Sequence, residues 1–292
     1  MSDQNMERYS NYTIGDMAKL LGVTAEAIRY YESKGIIKPL RAEGSGYRHF
    51  TTWDLHMLAR ARHYRQCGFS LEETAALLEG RSLEDVERAL HAKEEEIQHE
   101  ILWNINLLRS VRQCQQRIRS AREDVGVYRM LKSPGIYRIN TQKCYTLPRT
   151  RQETELIREW MEKTPFVYST AVFHKSQIEA GDENFDFGLG LDEEYAAFLG
   201  VEQSELVEYY PPCPCVYTCI PSRSSEYLSY RRLEAAFDYM RRCGLHLAGD
   251  IVTQVACMAK PEEEYFNWHC VWIPVDTGCG PENTGKDAQI VK

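Results

Sequence analysis

Arg29, Tyr30 and Lys34 crowd into one short stretch, and Arg41, Tyr47 and Arg48 follow closely behind, with Thr24 just ahead. Guanidinium groups fork onto phosphate oxygens or guanine edges, an ammonium neutralises phosphate, and hydroxyls of Thr and Tyr donate to phosphate. That set is chemistry for a nucleic-acid backbone and groove. A second chemistry gathers far along the chain. Cys213, Cys215 and Cys219 are spaced C-x-C-x3-C, and alternation puts Trp268, Cys270 and Trp272 on one face of the expected last strand. Thiolates suit soft metals or zinc, although this spacing lacks the paired C-x2-C of structural zinc sites. Aromatic faces suit a flat apolar molecule. The sequence contains no G-x-S-x-G, no H-E-x-x-H and no phosphate-binding Gly loop, and His246 and His269 stand singly. No catalytic residue, metal ligand or cofactor is therefore assigned.

The basic residues need elements to aim them. Thr13 reads as an N-cap with Asp16 in capping-box spacing, and Ile14, Met17, Ala18 and Leu21 recur at helical spacing. Gly22 supplies the left-handed turn, Thr24 caps a second helix, and Ala27, Ile28 and Tyr31 give that helix a buried stripe. Its other face carries Thr24, Arg29, Tyr30 and Lys34. Gly35 stops it. Lys38, Arg41 and Arg48 then flank a Gly44-Ser45-Gly46 turn that reads as a β-hairpin. A second helical pair follows, capped by Thr51 or Thr52 and by Ser70 with Glu73.

These residues, in order, resemble the winged-helix DNA-binding domain of the MerR family of transcriptional regulators over residues 12 to 80. The matching positions are Tyr12-Thr13-Ile14-Gly15, Ala18, Gly22-Val23, Ile28-Arg29-Tyr30-Tyr31-Glu32, Gly35-Ile36-Ile37, Gly46-Tyr47-Arg48, Leu55 and Gly68-Phe69-Ser70-Leu71-Glu72-Glu73. The resemblance implies DNA contacts by Thr24, Arg29 and Tyr30 from the recognition helix and by Tyr47 and Arg48 from the wing. Lys34 and Arg41 join them on charge and position. It also implies an activator that bends and untwists a promoter with an overlong spacer so that RNA polymerase can use it, deformation energy acting as the switch.

The chain of 292 residues has a net charge of −8, which suits a DNA binder only once it is divided. Residues 8 to 68 hold ten Lys/Arg against five Asp/Glu, and residues 126 to 292 hold 17 against 24. The nucleic-acid surface belongs at the N-terminus and something else at the C-terminus. The polar first residues and the lack of any apolar run near ~18 residues predict neither signal peptide nor membrane span. Ten Cys without a secretion signal predict reduced thiols in a bacterial cytoplasm.

From Ser82 to Val125 there is neither Pro nor Gly. Leu90, Ile97, Asn104, Val111, Ile118 and Val125 share one heptad position, and Glu94, Ile101, Leu108, Gln115 and Arg122 share the position four residues later. This interrupted apolar seam predicts a two-stranded coiled coil with Asn104 fixing register. In the family such a helix pairs antiparallel and makes a homodimer, matched to a pseudo-palindromic operator.

Residues 126 to 275 hold 22 of the 32 aromatic residues. Here a strand–helix–strand–strand pattern occurs twice. The first copy has a strand at 136–147, a helix at 151–163 and strands at 167–178 and 185–191. The second has a strand at 206–220, a helix at 225–243 and strands at 250–258 and 266–275. Two halves side by side would leave a cleft between their sheets for a small ligand. The duplication and the closing Val271-Trp272-Ile273-Pro274-Val275 resemble the GyrI-like effector domain of multidrug-sensing MerR regulators. Most aromatic strand residues are core. The pocket candidates are Tyr145, Tyr168, Phe187, Tyr217, Tyr230, Trp268, Cys270 and Trp272. Related sensors of lipophilic cations often carry a Glu where Cys270 stands, so a carboxylate would have to come from Asp186 or Glu153. The expected ligand is a bulky, planar, aromatic or lipophilic molecule.

The fold class expected is therefore α+β: a winged helix-turn-helix (1–80), a coiled-coil dimerisation helix (81–125), a duplicated effector-binding domain (126–275) and a disordered tail (276–292). The rival reading is a metal- or thiol-redox-sensing regulator using Cys213, Cys215 and Cys219. A remoter one, by fold analogy, gives the effector domain hydrolase activity.

Overall fold

The computed structural model describes residues 10–41, 47–79, 82–143, 146–147, 150–223, 226, 228–261 and 263–276. The chain divides into two compact units, Met1–Trp103 and Asn104–Lys292. Among the described residues no helix is long and apolar enough to cross a membrane. The expected hairpin turn at Gly44 to Gly46, the candidate Tyr145 and the segment after Asp276 lie outside the described residues.

In the first unit, helix α1 (Ile14–Leu21) opens on a Thr13–Asp16 capping box and closes on Gly22 at φ 60°. Helix α2 (Ala25–Ser33) opens on Thr24, whose hydroxyl accepts from the Ala27 amide at 3.2 Å. Gly22 is the turn between them because a residue with a Cβ is strained at that φ. Strand β1 (Ser10–Tyr12), which sequence reasoning did not anticipate, pairs with β3 (Arg48–Thr51), and β3 pairs with β2 (Leu40–Arg41). The strands flanking the expected hairpin are thus antiparallel neighbours. Helices α3 (Thr52–Gln66) and α4 (Leu71–Leu78) open on capping boxes from Thr51–Asp54 and Ser70–Glu73. Met17, Ile28, Ile36, Ile37, Phe50 and Leu58 bury themselves at the centre, drawn from α1, α2, β3, α3 and the segment after α2. Truncating Ile28 to Ala would cost about 2–5 kcal/mol.

Helix α5 (Leu83–Glu123) runs 41 residues, about 60 Å. Ser82 caps it, accepting from the Asp85 amide at 3.1 Å. Leu90, Ile97, Ile101, Leu108, Val111 and Ile118 of the heptad seam are all 41–54% exposed in the single chain. The helix stops before the expected last seam residue. Val125 lies beyond it and forms an isolated parallel bridge with Cys219.

The second unit is built on one antiparallel sheet. Its strands are β4 (Arg129–Lys132), β5 (Ile136–Lys143), β6 (Val167–Phe173), β7 (Asp186–Asp192), β8 (Glu208–Tyr210), β9 (Pro214–Arg223), β10 (His246–Leu247), β11 (Ile251–Ala259) and β12 (Phe266–Asp276). The order is β4-β9-β12-β11-β6-β7-β5-β8, with β10 on β12. The two halves, β5-β7-β6 and β9-β12-β11, meet edge to edge through β6 and β11, with Ile251 opposite Phe173 and Gln254 opposite Thr170. The expected gap between two sheets is therefore closed by a ladder. Each half also lends its leading strand to the other: β4 extends β9, and β8 extends β5.

Several boundaries differ from expectation for local reasons. The strand expected at 206–220 is broken at Pro211-Pro212, which cannot donate to a ladder, so β8 turns away to β5. The strand expected at 167–178 ends at Phe173, and His174 begins helix α7 (Lys175–Ala180). The helix expected at 225–243 is a 3-10 turn (Tyr230–Leu233) followed by an α-helix. The remaining helices are α6 (Arg151–Glu162), α8 (Glu193–Leu199) and that α-helix, α9 (Glu234–Arg242).

Alternation sorts the sheet into two faces. One carries Ala171, Phe173, Ile251, Val271 and Ile273 against Leu233, Ala236 and Met240 of the 3-10 turn and α9. Its continuation carries Ile139, Leu189 and Leu191 in a second core with Trp160 of α6 and Tyr195 of α8. The opposite face carries Tyr168, Asp192, Tyr217, Cys219, Gln254, Cys270 and Trp272, and the end of α5 lies against it through Ala121.

Candidate nucleic-acid interface and ligand cleft

The exposed side of α2 presents Arg29, Tyr30 and Lys34, with Thr24 at its N-terminus. Arg29 reaches Glu26 at 3.5 Å, and Lys34 lies over the Tyr30 ring at 5.4 Å and 3.9 Å from Glu72. These contacts are solvent-exposed and weak, so the cations remain available to phosphate. The Thr24 hydroxyl accepts from the Ala27 amide, and its proton is shared with the Glu26 carboxylate, so it caps its own helix on both counts.

Arg41 and Arg48 stand directly opposite each other in the β2–β3 ladder and both turn to Glu32 of α2. Arg48 Nε donates to both Glu32 oxygens, at 3.1 and 2.9 Å, and Arg41 lies 3.7 Å away. Glu32 carried the family resemblance in the sequence but was given no role there; the β2–β3 strands bring both arginines to it. It fixes the wing strands against the recognition helix. Tyr47 is 58% exposed at the edge of the described wing. The first unit thus gathers all seven expected DNA-facing residues on α2 and the wing.

The ligand candidates are dispersed. Tyr217, Trp268, Cys270 and Trp272 do share one cluster with Cys219 and Ala256, and the Tyr217 and Trp272 rings lie 4.6 Å apart. Phe187 and Tyr230 belong instead to the core on the opposite face, because β7 alternation and the 3-10 turn aim them at α9. Tyr168 is half-buried beside Gly190, where a Cβ would come within 2.7 Å of its ring. Asp186 is engaged by His174, and Glu153 is spent on the Thr150 helix cap, so neither offers a free carboxylate.

A buried carboxylate on this face that sequence reasoning missed is Asp192, because it sits at a strand end. Tyr168 OH donates to its Oδ1 at 2.7 Å, Gln254 Nε2 donates at 2.9 Å, and Arg117 of α5 approaches Oδ2 at 3.3 Å. Burial pushes Asp192 up, against the pull of Tyr168 and Arg117. Burial, then the Asp192 charge, pushes the Tyr168 phenol well above its ordinary value. Trp272 Nε1 donates to Gln254 Oε1 at 3.3 Å, which joins the indole to this network.

A cleft of ≈ 670 Å³, counting its open mouth, adjoins the outer wall of Trp272. Ser133, Pro134, Ile136, Tyr210, Pro211, Cys213, Cys215, Ala248, Gly249, Asp250, Val252 and Pro274 complete its lining. Of the expected pocket residues, among those described, only Trp272 lines it. The others were missed because the cleft is made by the exchanged strands, β4 and β8, whose partners no local pattern reveals. Asp250 is the single charged lining residue among the described residues. Its oxygens accept from His174 Nδ1 at 2.9 Å and from the Lys175 amide at 2.8 Å. His174, bridging Asp186 and Asp250, is raised to about 9 by those two hydrogen bonds, so it is a cation that offsets Asp250 at neutral pH. Behind them Arg138, wholly buried, donates to Glu208 at 2.9 Å, to Asn140 and to the Asp186 carbonyl. His269, unlike the half-buried His174, is buried. It meets Ser222 at 2.9 Å and is depressed to about 4 by burial, hence neutral.

The thiols form two pairs. Cys213 and Cys215 Sγ lie 3.6 Å apart on the cleft wall. Cys219, across the β9–β12 ladder from Cys270, donates to its sulfur at 3.8 Å. Tyr217 stands between Cys215 and Cys219 on the strand, so the three cysteines singled out from sequence do not converge. Among the described residues no group of three or more His, Cys, Asp or Glu is placed to hold a metal ion.

The first unit is thus a helix–turn–helix with a two-stranded wing tied to its second helix. Residues 12–81 match the model described as MerR HTH family regulatory protein. The chain is 40% identical over 93 residues to the HTH-type transcriptional regulator CueR of Escherichia coli, covering 30% of this chain and 69% of that one. It is 47% identical over 68 residues to the HTH-type transcriptional regulator ZntR of Escherichia coli, 23% of this chain and 48% of that one. The chain spans about half the length of several of the curated relatives it matches. A cryo-EM structure of an EcmrR–DNA complex aligns with 91% of this chain and 99% of that one at 18% identity, with a TM-score of 0.36. The chain belongs to the MerR HTH family of regulatory proteins, a class of DNA-binding transcriptional regulators.

Proposed function

We propose that this protein is a ligand-responsive transcriptional regulator. In this reading it grips promoter DNA as a homodimer through Arg29, Tyr30 and the wing, and its second unit is a GyrI-like effector domain. The ligand is a bulky, planar, largely apolar molecule. It occupies the cleft beside Trp272 and drives the activating distortion of a promoter used by RNA polymerase. The observation that carries the ligand reading is the cleft itself: Tyr210, Trp272, Pro211, Pro274, Ile136 and Val252 supply apolar and aromatic walls. Its one charged residue, Asp250, is compensated by His174. A neutral aromatic ligand pays no penalty there for an unmatched charge.

The test is a titration of planar aromatic compounds, neutral and cationic, into the full chain with tryptophan fluorescence as readout. Neutral compounds should quench and Tyr210→Ala should weaken binding; silence from the whole panel would end the reading. A bound compound should also raise transcription from a promoter with an overlong spacer. The three-thiol metal reading loses ground because Cys219 faces Cys270. We read the second unit as a binder, and turnover of any bound compound would point to the hydrolase alternative.

A further inference from the structure

Cys213 and Cys215 place two thiols 3.6 Å apart on the wall of a largely apolar cleft. The pair is held in place by backbone. Ser133 donates its amide to the Cys213 carbonyl at 2.9 Å, and the Cys213 amide donates to Ser133 Oγ at 3.0 Å. Residues 132 and 133 thereby clamp the turn into β9 on which both thiols sit. Cys213 is half-buried, and Cys215 is fully buried just behind it. A metal–sulfur bond of about 2.3 Å at a tetrahedral angle spans two sulfurs about 3.8 Å apart. The observed spacing therefore fits two bonds to one atom of bent geometry, whereas a linear dithiolate needs its sulfurs farther apart.

The rest of the coordination shell decides what that atom is. A structural zinc ion takes four ligands. Here only two sulfurs converge among the described residues, and the adjoining walls are Pro211, Pro274, Tyr210 and Trp272. The fitting centre is one that takes two thiolates and carries its remaining valence on an apolar group.

We propose that Cys213 and Cys215 form a chelating dithiol for a trivalent arsenical bearing an aromatic or other apolar substituent, the substituent lying in the cleft against Trp272. This goes beyond the proposed non-covalent ligand and stands on the thiol geometry whether or not occupancy changes promoter output. The chemistry is a condensation. An aryl arsenic(III) oxide and two thiols give an aryl dithioarsenite and water. Two As–S bonds form, the arsenic–oxygen bond breaks, and both thiol protons leave with the oxygen. Arsenic stays trivalent and no oxidant enters. Cys213, nearer solvent, forms the first bond. Cys215, whose thiol burial pushes up to about 12, closes the ring as its proton passes to the departing oxygen.

The experiment is intact-mass analysis of the reduced full-length chain with phenylarsine oxide in slight excess. One phenylarsenic group per chain should be gained with the loss of two thiol protons, and 1,2-ethanedithiol should reverse it. Cys213→Ser and Cys215→Ser should each abolish the stable adduct; Cys219→Ser should retain it. Melting curves establish that each variant is folded. An adduct mapped to Cys219 and Cys270, an adduct unchanged in Cys213→Ser, or zinc bound stoichiometrically by the pair in preference to the arsenical would each overturn the assignment. Failure to bind neutral aromatics with retained dithiol chelation would instead count against the proposed function alone.

Discussion

At the scale of single residues, His174 shows how much a histidine's surroundings decide. Its ordinary pKa of 6.5 is raised to about 9 by hydrogen bonds to Asp186 and Asp250. Its contribution to stability is fully present below about 6.5 and is lost as pH rises through about 9. The bridge is partly solvated, so we expect the loss to be on the order of 1–2 kcal/mol rather than the full shift. Asp250 is held down by His174, and Asp186 too, once His174 outweighs the burial that pushes it up. Their share is present above the ordinary carboxylate value and fades as acid titrates them. Melting temperatures should therefore fall between pH 6.5 and 9, and His174→Gln should flatten that fall; an unchanged slope would mean the bridge carries no net charge energy. Arg48 poses a sharper choice, because Glu32 already holds its Nε. Its remaining guanidinium nitrogens can still reach phosphate. Arg48→Ala should weaken operator binding across sequences and lower the salt slope of log K by about one. Lost affinity with an unchanged slope would make Arg48 a wing anchor only.

At the scale of elements, the long helix asks for a partner. The side chains of its seam are half exposed in a single chain, in a row longer than any one domain could cover. Ile101→Asp with Leu108→Asp should convert a dimer into a monomer in sedimentation velocity and lower operator affinity; a monomeric parent chain would remove the premise. The capping boxes, Gly22 and the heptads made the helices of the first unit and α5 legible in sequence, because those signals are local. Most strand cores in the second unit were legible too, since alternation lies within a few positions, but β4 and β10 were not anticipated and the strands expected at 167–178 and 206–220 end or break early. Pairing was not. Nothing near Arg129 or Glu208 says that each strand will join the other half, and that exchange builds the cleft walls from Ser133, Tyr210 and Pro211. Alternation also could not say which face was already filled by α9, so Phe187 and Tyr230 were placed in a pocket that is core.

At the scale of the whole molecule, a regulator must convert occupancy at one place into force at another, and the second unit contains a continuous hydrogen-bonded route toward its helix. Trp272 forms a wall of the cleft, its indole donates to Gln254, Gln254 donates to Asp192, and Asp192 is paired with Arg117 of α5. Spatial continuity alone does not establish coupling; a measured change of coupling does. Effector coupling of this kind is typically worth about 1–3 kcal/mol, or 5–150-fold in affinity. Gln254→Met keeps the volume and removes both hydrogen bonds, and Trp272→Phe keeps an aromatic wall and removes the donor. Each should leave aromatic-ligand binding within the same order of magnitude and leave operator binding by the unliganded chain intact, because Arg29 and the wing are untouched. Each should also shrink the ligand-induced rise in transcription toward the unliganded level. If both variants respond with full amplitude, the signal leaves the cleft by another path, and the Asp192–Arg117 pair serves only to seat the helix end on the sheet.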